Sequence, residues 1–148
     1  SMRKLLLKWA GYDRVQKGVD LNPRQSGRAF VHRMRMEFGV RSRILIPDAE
    51  TPRAIKSAVF FCTHHTGALD FLAAYPELEK IAPNLLVVVN SQIQKIKPLA
   101  LISIPVHPIS SGKRNEFART QIREHLKNGG NILVFPAGKV GYLNHGEP

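Results

Sequence analysis

Residues 57–89 read SAVFFCTHHTGALDFLAAYPELEKIAPNLLVVV. Ser57 to Cys62 is a short apolar run of the kind found in a buried strand, and Asn84 to Val89 is another. Between them the spacing predicts a helix over about Gly67 to Lys80. Strand, helix and strand in this order are the unit from which parallel sheets are built.

The same alternation continues toward the C-terminus. A short helical or irregular piece at about Ser91 to Leu99 leads to a predicted strand over Leu101 to Val106. A strongly amphipathic helix follows from about Arg114 to Lys127, closed by Asn128-Gly129-Gly130, a good helix stop. Asn131 to Phe135 reads as the last strand. In the other direction, Arg41 to Ile46 is a short strand candidate. The expected fold is α/β: a largely parallel central sheet flanked by helices and preceded by N-terminal basic helices.

With 148 residues, the chain is about one domain long. At 43% hydrophobic and 22% charged residues it has the composition of an ordinary folded domain. Its net charge of +11 is unusual and calls for an anionic partner. Residues 1–43 hold 11 Lys and Arg against three acids, and residues 44–148 hold 11 against eight, so the charge belongs mainly to the N-terminal segment. The chain therefore divides into a basic helical segment, 1–43, that packs on the domain or a membrane, and an α/β domain, 44–148.

Two helices are expected within that segment. One, about Met2 to Tyr12, puts Leu5, Leu6 and Trp9 near one face beside Lys4 and Lys8. The other begins after Asn22-Pro23 and runs to about Phe38-Gly39, with Phe30, Val31, Met34 and Phe38 at helical spacing. Their cations are either a solvated face or a contact with anionic lipid. A nucleic-acid reading has only the charge behind it, since no zinc finger, RNP-like aromatic motif or basic-region heptad accompanies it. No stretch approaches the roughly 20 apolar residues of a spanning helix. The single cysteine, Cys62, excludes an internal disulfide framework and points to a reducing, cytosolic setting.

Chemistry concentrates where the first strand meets its helix, at Thr63-His64-His65-Thr66-Gly67-Ala68-Leu69-Asp70. On one continuous helix His65 and Asp70 would lie about 140° apart. If His65 sits in the turn and Thr66 caps the helix, the imidazole can fold back onto Asp70. The carboxylate then fixes the tautomer and leaves the other ring nitrogen as a general base. Thr66 and Gly67 mark the helix N-terminus, where amides and the dipole can hold a phosphate or an oxyanion. A metal site from Cys62, His64, His65 and His107 is disfavoured, because adjacent histidines on an extended segment point opposite ways. Cys62 lies inside an apolar strand, where a thiol is a packing residue rather than a nucleophile.

At the end of the last strand stands Phe135-Pro136-Ala137-Gly138-Lys139. Together with His65-x4-Asp70 it resembles the glycerolipid acyltransferase family, the lysophospholipid and glycerol-3-phosphate acyltransferases, whose first motif is Asn-His-x4-Asp and whose third is Phe-Pro-Glu-Gly. The resemblance covers about His64 to Lys139. The branch described as hemolysin-like or ornithine-lipid acyltransferases is nearest, since its members look similar in carrying Phe-Pro-Ala-Gly. What the resemblance implies is transfer of a fatty acyl group from acyl-CoA or an acyl-carrier protein to a hydroxyl or amine of a lysolipid-like acceptor, with no metal and no cofactor beyond that co-substrate. His65 would be the base and Asp70 its orienting partner. Phe135, Pro136 and Gly138 would shape the acceptor pocket, and Lys139 and Arg114 would supply positive charge to a phosphate.

The chain departs from the family pattern in several places. His64 stands where the family has Asn, and Ala137 where it has Glu, which directs the expectation away from glycerol-3-phosphate as acceptor. The second motif, Gly-x-x-Phe-x-x-Arg, is degenerate in Ile102 to Pro108. The fourth has no room before Pro148, so the chain reads as a truncated or minimal member. The expected setting is cytoplasmic, peripheral on the inner face of the membrane. The reading from a different class is a non-catalytic basic α/β domain that binds nucleic acid or membrane.

Overall fold

The computed structural model describes residues 20, 26–45, 54–62, 68–91, 93, 96–107 and 115–136. They form helix α1 (Gly27–Glu37), strand β1 (Val59–Phe61), helix α2 (Ala68–Ile81), strand β2 (Leu85–Asn90), a 3-10 helix (Lys97–Ile102), strand β3 (Ser103–Val106), helix α3 (Glu116–Lys127) and strand β4 (Asn131–Val134). The four strands make one all-parallel sheet in the order β1-β4-β2-β3. The fold is thus the expected α/β arrangement, with helices on both faces.

Alternation along the strands divides the core in two. Leu85, Val87 and Leu133 face α1 and α2, where they join Phe30, Val31, Met34, Leu72 and Tyr75. Ile104 and Ile132 face the other way and meet Ala118 of α3, with Ile122 and Leu126 beside it. Both faces of the central strands are covered, which is why Leu85 to Val89 reads as an unbroken apolar run rather than an alternating one.

Among the described residues the parallel connection from β2 to β3 carries 3-10 turns and no α-helix, so the layer beside it needs another element. Helix α1 fills that place. Its Gly27, at φ 59°, is close enough to the 3-10 helix that an added Cβ would touch Ile102 Cγ2 at 3.4 Å. The stripe of Phe30, Val31 and Met34 is fully buried, and each such side chain contributes about 1.5–3 kcal/mol on burial. For these residues the apolar stripe of the basic segment packs on the domain. The other predicted helix, Met2 to Tyr12, lies outside the described residues.

The cations of α1 are used internally. Arg28 pairs with Glu79 at 3.0 Å, Arg33 with Glu37 at 2.8 Å and Arg35 with Glu77 at 2.6 Å. Arg35 is the most enclosed of the three, and it also donates to the Val40 and Ser42 carbonyls and to Ser42 Oγ. Glu77 takes a second bond from Lys80 Nζ. The Lys80 and Arg35 hydrogen bonds hold its carboxyl below the usual range, against the opposing pull of desolvation.

Arg41 to Leu45 is not a strand. Ser42 Oγ donates instead to the Ala73 carbonyl at 2.8 Å, while Arg35 grips the Ser42 backbone. The segment is fastened to α1 and α2 through side chains, and exposed Ile44 and Leu45 have no buried face to alternate against.

Candidate functional site

The two halves of the sequence signature leave the sheet at the same edge, from neighbouring strands. Strands β1 and β4 pair in parallel with Phe61 opposite Val134, and the Cys62 N–H donates to the Val134 carbonyl at 2.9 Å. The chain continues from β1 into 63–67 and α2, and from β4 into Phe135-Pro136. Ligands in open parallel sheets bind beyond the carboxyl ends of the strands, where such loops lead away.

Asp70 lies in the first turn of α2. A carboxylate is favoured there by the helix dipole, and the side chain is half-buried. Phe135 is half-buried and packs against the larger core, while Pro136 is an exposed turn residue. His65, Thr66, Gly67, Arg114, Gly138 and Lys139 lie outside the described residues. Of the predicted site, the structure therefore places Asp70, Phe135 and Pro136, all at the carboxyl edge. Cys62 is half-buried against the same core and forms no disulfide.

The other two strands bring a polar group to this edge that motif reading does not single out. Asn90 pairs with Val106 in register, so the next residues, Ser91 and His107, emerge side by side. Ser91 Oγ lies 3.3 Å from His107 Nδ1. Asn115, at the start of α3, brackets the His107 backbone, accepting from its N–H at 2.8 Å and donating to its carbonyl at 3.0 Å. The available signal was positional: Ser91 and His107 stand just beyond apolar strand runs. Among the described residues no group of three or more His, Cys, Asp or Glu could hold a metal ion.

A cavity of about 350 Å³ opens at the opposite, amino edge, lined in part by Arg28, Tyr75, Glu79, His125 and Gly130. Its polar walls are already occupied. Arg28 pairs with Glu79, Tyr75 Oη donates to the Leu85 carbonyl at 3.0 Å, and His125 Nε2 lies 2.7 Å from the Asn84 carbonyl. Burial first, and then the Glu79 charge, push the Tyr75 phenol well above its ordinary range, so it stays a neutral donor. The carboxyl edge, where both motif segments leave the sheet, is therefore the better candidate.

No family model matches the chain, and neither a curated protein nor a solved structure is similar enough to it to register as a match. No helix among the described residues is long and apolar enough to cross a membrane.

Proposed function

We propose that the chain is an acyltransferase acting on lipids at a membrane surface, moving a fatty acyl group from acyl-CoA or an acyl-carrier protein to a hydroxyl or amine of a lysolipid-like acceptor. One observation carries the reading: the His65-x4-Asp70 segment and the Phe135-to-Lys139 segment, far apart in sequence, are continuations of adjacent parallel strands at one edge of the sheet. A site shared by the two segments requires that adjacency, and neither motif alone predicts it.

In this mechanism Asp70 orients the His65 imidazole, which takes the proton from the acceptor hydroxyl or amine. The acceptor atom attacks the thioester carbonyl, the carbon–sulfur bond breaks, and the thiol leaves with the proton that His65 returns. No acyl-enzyme is needed. Phe135, Pro136 and Gly138 shape the acceptor side, with Lys139 and Arg114 toward its phosphate. The proposed setting is the cytoplasmic face of the membrane.

The nucleic-acid alternative rests on the charge alone; within α1, Arg35 is enclosed against Glu77, while Arg28 and Arg33 pair with Glu79 and Glu37 near the surface. The test is acyl transfer from CoA and carrier-protein thioesters to a panel of lysolipid hydroxyls and amines, followed by mass spectrometry. His65→Ala is expected to lose transfer and keep its circular dichroism spectrum. Unchanged transfer in that variant would overturn the mechanism.

A further inference from the structure

We propose that the carboxyl edge of the sheet is itself a docking face for an anionic lipid layer, with Phe61, Leu69, Ile93 and Phe117 entering the interface. The proposal builds on the lipid-acyltransferase reading and adds which surface meets the lipid.

These four side chains are 64%, 52%, 40% and 71% exposed. Each stands where the chain turns at one edge. Phe61 ends β1 and Leu69 opens α2, Ile93 follows β2, and Phe117 opens α3 after β3. In the order β1-β4-β2-β3, the strand ending at Phe61 lies two spacings, about 10 Å, from the strand before Ile93 and three, about 15 Å, from the strand before Phe117, while Leu69 and Phe117 open helices that cover opposite faces of the sheet. Asp70, Ser91 and His107 lie along the same edge.

Scattered exposed apolar residues are ordinary, but these two aromatic and two aliphatic side chains all belong to strand ends, or to the first turns of the helices that follow, at one end of the sheet. A fluid apolar layer accommodates side chains spread over both faces of that end, whereas a pocketed protein partner calls for a compact patch. Charge favours the same occupant. The segment after α1 runs back along α2 toward its N-terminal end, as the Ser42-to-Ala73 bond shows, and carries exposed Arg41 and Arg43. Arg119, in the first turn of α3, has only a loose 3.6 Å contact with Glu116. Apolar residues flanked by cations are the composition that seats a protein on anionic headgroups.

The experiment is co-sedimentation of the full chain with phosphatidylcholine vesicles containing or lacking phosphatidylglycerol. The wild type is expected to bind the anionic vesicles. F61S/F117S is expected to bind them about tenfold or more weakly. R41Q/R43Q should weaken binding only where phosphatidylglycerol is present. L101S removes a side chain that is 70% exposed but precedes β3 at the amino edge, and it should bind as the wild type does. All these side chains are exposed, so urea midpoints should not move. Wild-type failure to bind, undiminished binding by F61S/F117S, an equal loss in L101S, or a changed oligomeric state with unchanged vesicle binding would each overturn the proposal. Because binding needs no turnover, His65→Ala should dock fully. A chain that docks through these side chains yet transfers no acyl group would leave the docking face standing and remove the acyltransferase reading.

Discussion

The two ends of the sheet are made from the same four strands and are built to opposite rules. At the amino edge every strand start but one is fastened by a buried or partnered polar group. Asn131, fully buried, accepts from the Ala58 N–H at 3.0 Å and donates to the Ile55 and Pro83 carbonyls at 2.9 and 2.7 Å, clamping the segments that enter β1 and β2 onto β4. Tyr75 bonds the Leu85 carbonyl at the start of β2, and the His125 ring lies against the Asn84 carbonyl just before it. At Gly130 an added Cβ would meet the His125 ring, which would have to leave its place beside the Asn84 carbonyl. The exception is Ser103 at the start of β3, whose buried Oγ has no partner. At the carboxyl edge the polar groups are half-buried or exposed: Asp70, Ser91, His107 and Asn115. The contrast teaches that polar groups at one edge are bonded across strand starts in the core, whereas Ser91, His107 and Asn115 at the other are bonded to one another where solvent reaches them, which separates residues that hold the fold from residues placed for contact with a ligand.

That division can be broken experimentally, and the largest effect belongs to the carboxyl edge. Asp70→Asn should lower acyl transfer about 10²-fold or more, with a urea midpoint close to wild type. A large loss of stability with little loss of specific activity would move Asp70 to the structural class. Asn131→Ala should do the reverse. Leaving the Ala58 N–H and two carbonyls without their partners costs about 2–4 kcal/mol, read by urea denaturation, while the folded fraction keeps its specific activity.

A smaller effect is expected from the Arg35–Glu77–Lys80 cluster. The Glu77 pKa is lowered from the ordinary 4.5 in the folded chain. Its contribution to stability is therefore complete above that value and is lost as pH falls through the lower, folded value. Glu77→Gln should flatten the stability curve in that acidic window and lose stability at neutral pH. Were the variant's acid limb to match the wild type's, Glu77 would not be the group responsible. Smallest is Ser103→Ala, which removes an unpartnered buried hydroxyl and should change stability by no more than about 0.5 kcal/mol, or raise it slightly. A loss above about 1 kcal/mol in urea denaturation would show that the hydroxyl has a partner.

Much of this architecture is readable from the sequence, because buried parallel strands announce themselves as apolar runs and α3 as an amphipathic repeat. Elements whose partners are distant in sequence are not. Asn131 looks like the polar residue before a strand, yet its partners are Ile55, Ala58 and Pro83. Arg41 to Leu45 alternates like a strand, but Arg35 and Ala73 hold it away from the sheet. Pro76 stands inside α2 without ending it, since packing of Leu72 and Tyr75 on the larger core outweighs the missing backbone donor. The same limit governs the site. His65-x4-Asp70 and Phe135 to Lys139 are visible as motifs because each is local, and their adjacency follows only from the strand order. Ser91 and His107 meet across two strands, so no local pattern marks them as a pair.

The central claim is that one ligand engages the segments beyond β1 and β4 together. Hydrogen exchange with and without a non-hydrolysable acyl-CoA thioether measures this directly. The account predicts added protection in peptides covering 62–72 and 134–139 at the same ligand concentration, with amides around Asn84 and Asn131 unchanged. Protection confined to one of the two segments, or appearing at the amino edge instead, would contradict it.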